Sequence, residues 1–229
     1  MKAEKEAKIA KSLVEKIEDH SARVGVVGLG YVGLPLAVEF AKVGFEVTGI
    51  DVSSHKVEMV EAGKSDVQGV SEFEVAGLKA VGKLSATQDY GVAQDLDVVV
   101  ICVPTPLNKT RDPDVSFILH AVGELKKTLH PGQLVVLEST TYPGTTQEVV
   151  LPNLEETGLK VGKDVYLAFS PERVDPGNTV YTVTNTAKCG GRPDREVHGG
   201  CLVFLSASYF RCGAGLVASG GRNDQVAGK

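Results

Sequence analysis

The stretch RVGVVGLGYVGLPLAVEFAKVGFEVTGID, residues 23–51, decides the fold of this chain. It begins with a short run rich in valine, RVGVVG, which predicts a buried strand. A helical pattern follows from about Tyr31 to Val43, and FEVTGID predicts a second strand. Two short strands that flank one helix predict a βαβ unit, and therefore a parallel sheet.

The glycine loop GLGYVG, residues 28–33, connects the first strand to the helix. A G-x-G-x-x-G pattern in this position is the dinucleotide-binding fingerprint. We expect Gly28 to permit the tight turn, Gly30 to let the backbone approach a pyrophosphate, and Gly33 to let helix and strand pack closely. The helix N-terminus offers N–H groups and a positive dipole end to the phosphates. Tyr31 and Val32 lie within the loop and complete the predicted cofactor contact.

Asp51 ends the second strand, where the carboxylate of a dinucleotide-binding fold accepts the ribose hydroxyls of adenosine. A carboxylate at this position repels a 2′-phosphate, and the next residues, Val52, Ser53 and Ser54, include no arginine that could bind one. The cofactor is therefore predicted to be NAD rather than NADP. The alternative is that Asp51 only caps a helix that starts near Ser54.

Further apolar runs predict additional strands at 96–103, 133–139 and 164–170. They are separated by helix-like stretches, VSFILHAVGELKKTL and TTQEVVLPNLEET. Strands this apolar are buried on both faces, as in a parallel sheet covered by helices. We therefore predict an α/β fold, a doubly wound parallel sheet of the Rossmann type, over residues 21–188.

The first 20 residues place Ile9, Leu13 and Ile17 on one face of an amphipathic helix. This helix could pack on the domain that follows or on another subunit. A solvated helix that only leads into the domain is the simpler expectation.

Composition excludes several classes of protein. The chain has 229 residues, is 42% hydrophobic and carries a net charge of −5, so nothing favours binding to nucleic acid. No apolar run is long enough for a membrane span, and the first residues do not resemble a signal peptide, so a cytoplasmic location is expected. The four cysteines have no metal-ligand spacing, so no metal is predicted.

Four ordered segments carry a specific resemblance: VGLGYVGLPLA with FEVTGID, ICVPTPLNKTRDPD at 101–114, LESTTYPGTT at 137–146 and AFSPERVDPGN at 168–178. Together they resemble the N-terminal domain of the UDP-glucose/GDP-mannose dehydrogenase family, over about residues 8–188. Within that family, PTPLNKTRDPD and SPERVDPGN look most like the branch that acts on UDP-N-acetylhexosamines.

The resemblance implies an activity and roles for particular residues. Members of the family oxidise the C6 alcohol of a UDP-sugar to the carboxylate in two NAD-dependent steps, through an aldehyde captured by a cysteine. Thr105, Thr140 and Lys56 would contact the cofactor. Glu172 would lie at the substrate and assist the water that hydrolyses the thioester, with Thr140 helping to position it, and Arg173 would line the substrate site. A homodimer is implied for the full-length enzyme.

Two of these positions could equally serve local structure. Thr140 could cap the helix that follows it, and Glu172 with the proline before it could form a turn that ends a strand.

The segment 189–229 does not continue the domain pattern, because it is rich in glycine and has no convincing helix or strand period. It contains no segment that matches the one carrying the family's catalytic cysteine, and Cys201 does not match that motif. We hypothesise that a one-base shift near 188–191 puts this irregular tail out of frame and leaves the chain truncated and inactive alone. The alternative function is a non-catalytic NAD-binding remnant or subunit.

Overall fold

The computed structural model describes residues 12–107, 113–142 and 144–170. Six strands form one parallel sheet in the order β3-β2-β1-β4-β5-β6. This order, with helices on both faces, is the doubly wound Rossmann arrangement, so the predicted fold class is confirmed. The strands are β1 Arg23–Val27, β2 Glu46–Ile50, β3 Leu84–Thr87, β4 Val98–Ile101, β5 Leu134–Leu137 and β6 Tyr166–Phe169.

Helices cover the two faces of the sheet. The helices are α1 at residues 12–18, α2 Gly33–Val43, α3 Ser54–Glu61, α4 Glu72–Ala80, a 3-10 helix Tyr90–Asp95, α5 Ser116–Leu125, a π-helical stretch Thr145–Val150 and its continuation α6 Leu151–Glu155. Strand β4 shows how the sheet divides the core. Val98 and Val100 join the cluster under α1, α2 and α4, whereas Val99 and Ile101 join the cluster under α5 and α6. Alternate residues of a strand point to opposite faces, so an unbroken apolar run fills both layers.

Helix α2 positions the glycine loop against the sheet. Most of its residues are buried, and it ends where Gly44 takes a left-handed conformation, φ 119°. The N–H of Gly44 donates to the carbonyl oxygen of Ala41, and that of Phe45 to the carbonyl oxygen of Phe40. This glycine-dependent C-cap reverses the chain and starts β2 directly beside β1.

Strand β3 was absent from the sequence-based prediction. Only Leu84 is buried; the remaining residues of LSAT are partly or fully exposed. A polar edge strand has little of the apolar pattern on which such predictions depend. Strand β3 nevertheless ends beside the candidate site residue Asp51, because the carbonyl oxygen of Thr87 accepts the N–H of Asp51 at 3.1 Å.

Helix α1 packs on the domain. Leu13 is 4% exposed and Ile17 is fully buried in the cluster under α2. Lys16 Nζ pairs with Asp97 Oδ1 at 2.6 Å, and Asp97 Oδ2 accepts the N–H of Arg23 at 2.9 Å. The expectation of a purely solvated helix is therefore wrong for this segment, whereas Ile9 lies outside the described residues. Among the described residues, no helix has the length and apolar character needed to cross a membrane.

Candidate functional site

A cleft of about 560 Å³ opens at the carboxyl ends of the strands, beside β1. The chain runs from β1 to β2 on one side, and the connection after β3 crosses to β4 on the other side of β1. The connections diverge at such a switch point, and in open parallel sheets this is where ligands bind. The lining comes from the glycine loop, the end of β2 and the loops after β4 and β5.

Each of the three loop glycines has a different structural environment. Gly28 has φ +94°, and an added Cβ would lie 2.8 Å from the carbonyl oxygen of Cys102. A Cβ on Gly33 would collide with the carbonyl oxygen of Gly28 and lie 3.2 Å from the Cβ of Cys102. A Cβ on Gly30 would meet no described atom within 4 Å. Gly28 and Gly33 are therefore needed for the turn and for packing, whereas Gly30 borders open space in the cleft.

The N-terminus of α2 opens into the cleft without a side-chain cap. Val32 occupies the N-cap position, and its side chain has no oxygen that could accept a helix N–H. Leu34 N–H donates to the carbonyl oxygen of Gly30 at 3.1 Å. In the part of the chain that the structure describes, the N–H groups of Tyr31 and Val32 have no such partner. An uncapped helix terminus with free N–H groups is suited to an anion such as a phosphate.

Asp51 connects the glycine loop to the end of β2. Its Oδ2 accepts the N–H of Leu29 at 2.6 Å, and its Oδ1 accepts the N–H of Ser53 at 2.9 Å. Helix α3 is capped by Ser53, whose hydroxyl accepts the N–H of Lys56. The alternative that Asp51 caps this helix is therefore wrong. Each carboxylate oxygen can accept further hydrogen bonds, so Asp51 retains acceptor capacity for a pair of hydroxyls.

Lys56 lines the same part of the cleft as Asp51. Its Nζ lies 2.7 Å from Oδ1 and 2.8 Å from Oδ2 of Asp66, so the ammonium group is held by both oxygens of one carboxylate. The hydrogen bond from Lys56 keeps the pKa of Asp66 below its usual range. The predicted contact of Lys56 with a cofactor remains a prediction.

The loops after β4 and β5 are joined across the cleft. Thr105 Oγ1 donates to the carbonyl oxygen of Thr140, and the buried Ser139 hydroxyl donates to the carbonyl oxygen of Val103 at 3.0 Å. Thr140 does not cap the following helix, because Gly144 occupies the N-cap position there. Two residues that the sequence suggested separately, Thr105 and Thr140, are thus neighbours at one end of the cleft.

Three aromatic residues of the lining were missed by sequence reasoning: Tyr90, Phe117 and His120. The Tyr90 and His120 rings meet edge to face, with centroids 6.2 Å apart. Burial, together with the charges of Asp51 and Glu124, raises the pKa of Tyr90 to about 12. Phe117 and His120 are three residues apart on α5 and share its cleft-facing side, a spacing that could have indicated them. No motif marks Tyr90, which is positioned by the 3-10 helix.

The predicted substrate residues Glu172 and Arg173 lie outside the described residues, as does the tail 189–229. The last described residue, Ser170, donates its N–H to the carbonyl oxygen of Leu137 at 2.9 Å. Ser170 therefore lies at the carboxyl end of β6, beside the end of β5. Over the described ranges, no group of His, Cys, Asp and Glu side chains is arranged to hold a metal ion.

Comparison with known proteins gives the same family that the sequence motifs indicate. The family model for the NAD binding domain of the UDP-glucose/GDP-mannose dehydrogenase family matches residues 22–202, and so continues past Lys188. The chain is 38% identical over 167 residues to UDP-N-acetyl-D-glucosamine 6-dehydrogenase of Pseudomonas aeruginosa, covering 72% of this chain and 39% of that protein. It is 38% identical over 158 residues to UDP-N-acetyl-D-mannosamine dehydrogenase of Pyrococcus horikoshii, covering 68% and 37%.

A solved structure agrees with the fold. The crystal structure of a ternary complex of GDP-mannose dehydrogenase from Pseudomonas aeruginosa has a TM-score of 0.76 and 32% sequence identity. The similarity covers 84% of this chain and 45% of that one. The chain thus spans less than half the length of these relatives, and the matched part contains the cleft.

Proposed function

Because the chain belongs to the UDP-glucose/GDP-mannose dehydrogenase family, we propose that its cleft binds NAD for the oxidation of a UDP-sugar. The reaction converts the C6 alcohol to the carboxylate in two steps, each of which passes a hydride to NAD. One observation carries the proposal: the carboxylate of Asp51 and the open face of Gly30 border the same cleft at the switch point of the sheet. This chain supplies the cofactor-binding part of that activity.

The chemistry of the lining suggests how NAD lies in the cleft. The pyrophosphate belongs at the N-terminus of α2, where Gly30 leaves room and the helix dipole favours negative charge. The adenosine ribose then reaches Asp51, whose oxygens keep free acceptor capacity. Thr105 and Thr140, which line the cleft after β4 and β5, would hold the nicotinamide end. When bound there, NAD supplies the hydride acceptor.

The substrate belongs beside the nicotinamide end. In this proposal Glu172 and Arg173, which follow β6 in the sequence, contact the nucleotide sugar, and Glu172 assists the water that releases the carboxylate product, as the resemblance implies. A carboxylate can take a proton from water, and the Thr140 hydroxyl can orient that water. The two relatives named above act, by their names, on UDP-N-acetylhexosamines, so we propose that sugar class for this protein.

The test combines binding with turnover. Isothermal titration calorimetry of the 229-residue chain with NAD is expected to show one site. Asp51→Asn is expected to weaken binding by about tenfold or more, because it removes the charge that receives the ribose hydroxyls and halves the acceptor capacity. Asp95→Asn is the matched control, since Asp95 pairs with Arg23 at the amino end of β1 and neither residue lines the cleft. Absence of NAD binding, or equal loss in both variants, would contradict the proposed site.

Turnover is measured as NADH formation with UDP-N-acetylglucosamine, UDP-N-acetylmannosamine and GDP-mannose. NADH formation with the UDP-sugars supports the dehydrogenase assignment for the chain by itself. Binding of NAD without NADH formation supports the alternative, a non-catalytic NAD-binding subunit that needs a further segment for the chemistry. Preference for GDP-mannose would contradict the proposed sugar class.

A further inference from the structure

The region of the cleft around Asp51 contains one ammonium group among its described lining residues, that of Lys56. A lysine beside the adenosine ribose could bind the 2′-phosphate of NADP as easily as it could assist the hydroxyls of NAD. The role of Lys56 therefore depends on which group its ammonium already pairs with.

The carboxylate of Asp66 forms an ion pair with this ammonium group. Both of its oxygens lie within 2.8 Å of Lys56 Nζ, and the pair is partly shielded, with side-chain exposures of 26% for Lys56 and 34% for Asp66. His55 Nε2 lies 3.7 Å from Asp66 Oδ2, but its side chain is 68% exposed and turned to solvent. An ion pair with two short bonds in this partly shielded place is stronger than a fully exposed pair.

The charges around the ribose end therefore sum to a negative value. Asp51 carries one negative charge, and the Lys56–Asp66 pair is neutral. A phosphate at the ribose 2′ position brings up to two further negative charges and must compete with Asp66 for the ammonium group. Its approach is unfavourable, whereas the uncharged hydroxyls of NAD can donate to the oxygens of Asp51.

We propose that Asp66 is a cofactor-specificity residue, which engages the ammonium group of Lys56 and so excludes NADP from the cleft. Asp66 acts through Lys56 and is thus a positioning residue that does not itself contact the cofactor. This inference rests on the proposed NAD function. According to the proposal, the segment after α3, which contains Asp66, helps the cleft to discriminate between NAD and NADP.

The experiment measures NAD and NADP binding by calorimetry for the wild-type chain and for Asp66→Asn and Asp66→Ser. Loss of the carboxylate is expected to strengthen NADP binding by about tenfold, the effect of one charge-assisted contact, while NAD binding changes less than about twofold. The gain is expected to decline with added salt, because it depends on an ion pair at a partly exposed site. Asp66→Glu is expected to restore exclusion of NADP.

Two further variants separate this effect from a structural one. Adding Lys56→Met to Asp66→Asn is expected to abolish the gain in NADP binding, because the released ammonium group is then missing. Glu61→Gln is the matched control. Glu61 Oε2 pairs with Lys79 Nζ at 2.6 Å, and neither residue lines the cleft. It is expected to leave both cofactor affinities unchanged.

The outcomes distinguish the two proposals. If the wild-type chain binds NAD but neither Asp66 variant gains affinity for NADP, Asp66 is not a specificity residue and the proposed function stands. A gain in NADP binding that persists without Lys56 also overturns the inference. If the wild-type chain does not bind NAD, the proposed function fails, and this inference fails with it.

Discussion

Replacing Gly33 by alanine is expected to destabilise the domain, whereas replacing Gly30 by alanine is expected to weaken cofactor binding without loss of stability. The two glycines belong to one loop but differ in what surrounds them. A Cβ on Gly33 would collide with the backbone oxygen of Gly28, and a Cβ on Gly30 would meet no atom of the described residues within 4 Å. The pair therefore separates a packing requirement from a ligand requirement.

The magnitudes follow from these surroundings. Overpacking costs about 1–3 kcal/mol, and Gly33→Ala belongs at the upper end because the obstacle is backbone that no side-chain rotation can move away. About 3 kcal/mol corresponds to a fall in Tm of roughly 6–12 °C for a domain of this size. Gly30→Ala should change the free energy of unfolding by less than ~0.5 kcal/mol, as for a surface substitution. It should nevertheless weaken NAD binding by about tenfold or more, ~1.4 kcal/mol, by filling the space for the pyrophosphate.

Two assays on the same samples test the pair. Thermal unfolding followed by circular dichroism reports stability, and calorimetry with NAD reports affinity. Gly30→Ala with normal NAD affinity would refute the role of that backbone in phosphate binding. Gly33→Ala with the melting temperature of the wild-type chain would refute the close approach of α2 to the turn at Gly28.

Three further predictions concern the packing of α1, the titration of Tyr90 and the tail. Ile17→Ala should lower the free energy of unfolding by about 2–5 kcal/mol in denaturant titration, because Ile17 is fully buried, whereas the exposed Glu18→Ala should change it by less than ~0.5 kcal/mol. The pKa of Tyr90 is raised from 10.0 to about 12, so its contribution to stability is complete below pH 10 and lost as pH rises towards 12. Tyr90→Phe should make the denaturant midpoint less sensitive to pH in that window, and an unchanged profile would contradict the buried environment. Synonymous codons for GRNDQVAGK, residues 221–229, can be chosen so that the frame one base later reads Ala-Glu-Met-Thr-Lys-Leu-Leu-Glu. If the tail is out of frame, the coding DNA should encode that segment in the shifted frame, and a shifted frame that does not encode it contradicts the hypothesis.

The sheet could be largely predicted from the sequence, because its central strands are continuous apolar runs. Burial on both faces requires apolar residues at every position of β4 and β5 and after Arg23 in β1, and such runs are visible without any tertiary information. Strand β3 lacks this signal, since an edge strand needs only one buried residue, Leu84, to join the core. Its place is decided by backbone pairing with β2, which leaves no mark in the sequence.

The site divides in the same way. The spacing of Gly28, Gly30 and Gly33 and the position of Asp51 indicated a dinucleotide site, because backbone conformation and close approach restrict those positions to particular residue types. Tyr90 could not be assigned to the cleft, because no motif marks it and its 3-10 helix meets α5 only when both pack on the sheet. The same holds for Asp66, whose contact with Lys56 depends on how the chain turns after α3.

The sequence by itself thus determined the βαβ unit, the parallel sheet, the cofactor class and the family, because these follow from local hydrophobic periodicity, turn chemistry and ordered motifs. Only the tertiary structure decided that α1 buries Leu13 and Ile17, that Ser53 rather than Asp51 caps α3, and that Asp66 holds the charge of Lys56. The packing of α1 and the Asp66–Lys56 pair are contacts between separate segments. The cap of α3 depends on which of two neighbouring polar side chains, both suited to an N-cap, reaches the helix N–H group. Their outcome is set by distances in the folded chain, which no local pattern contains.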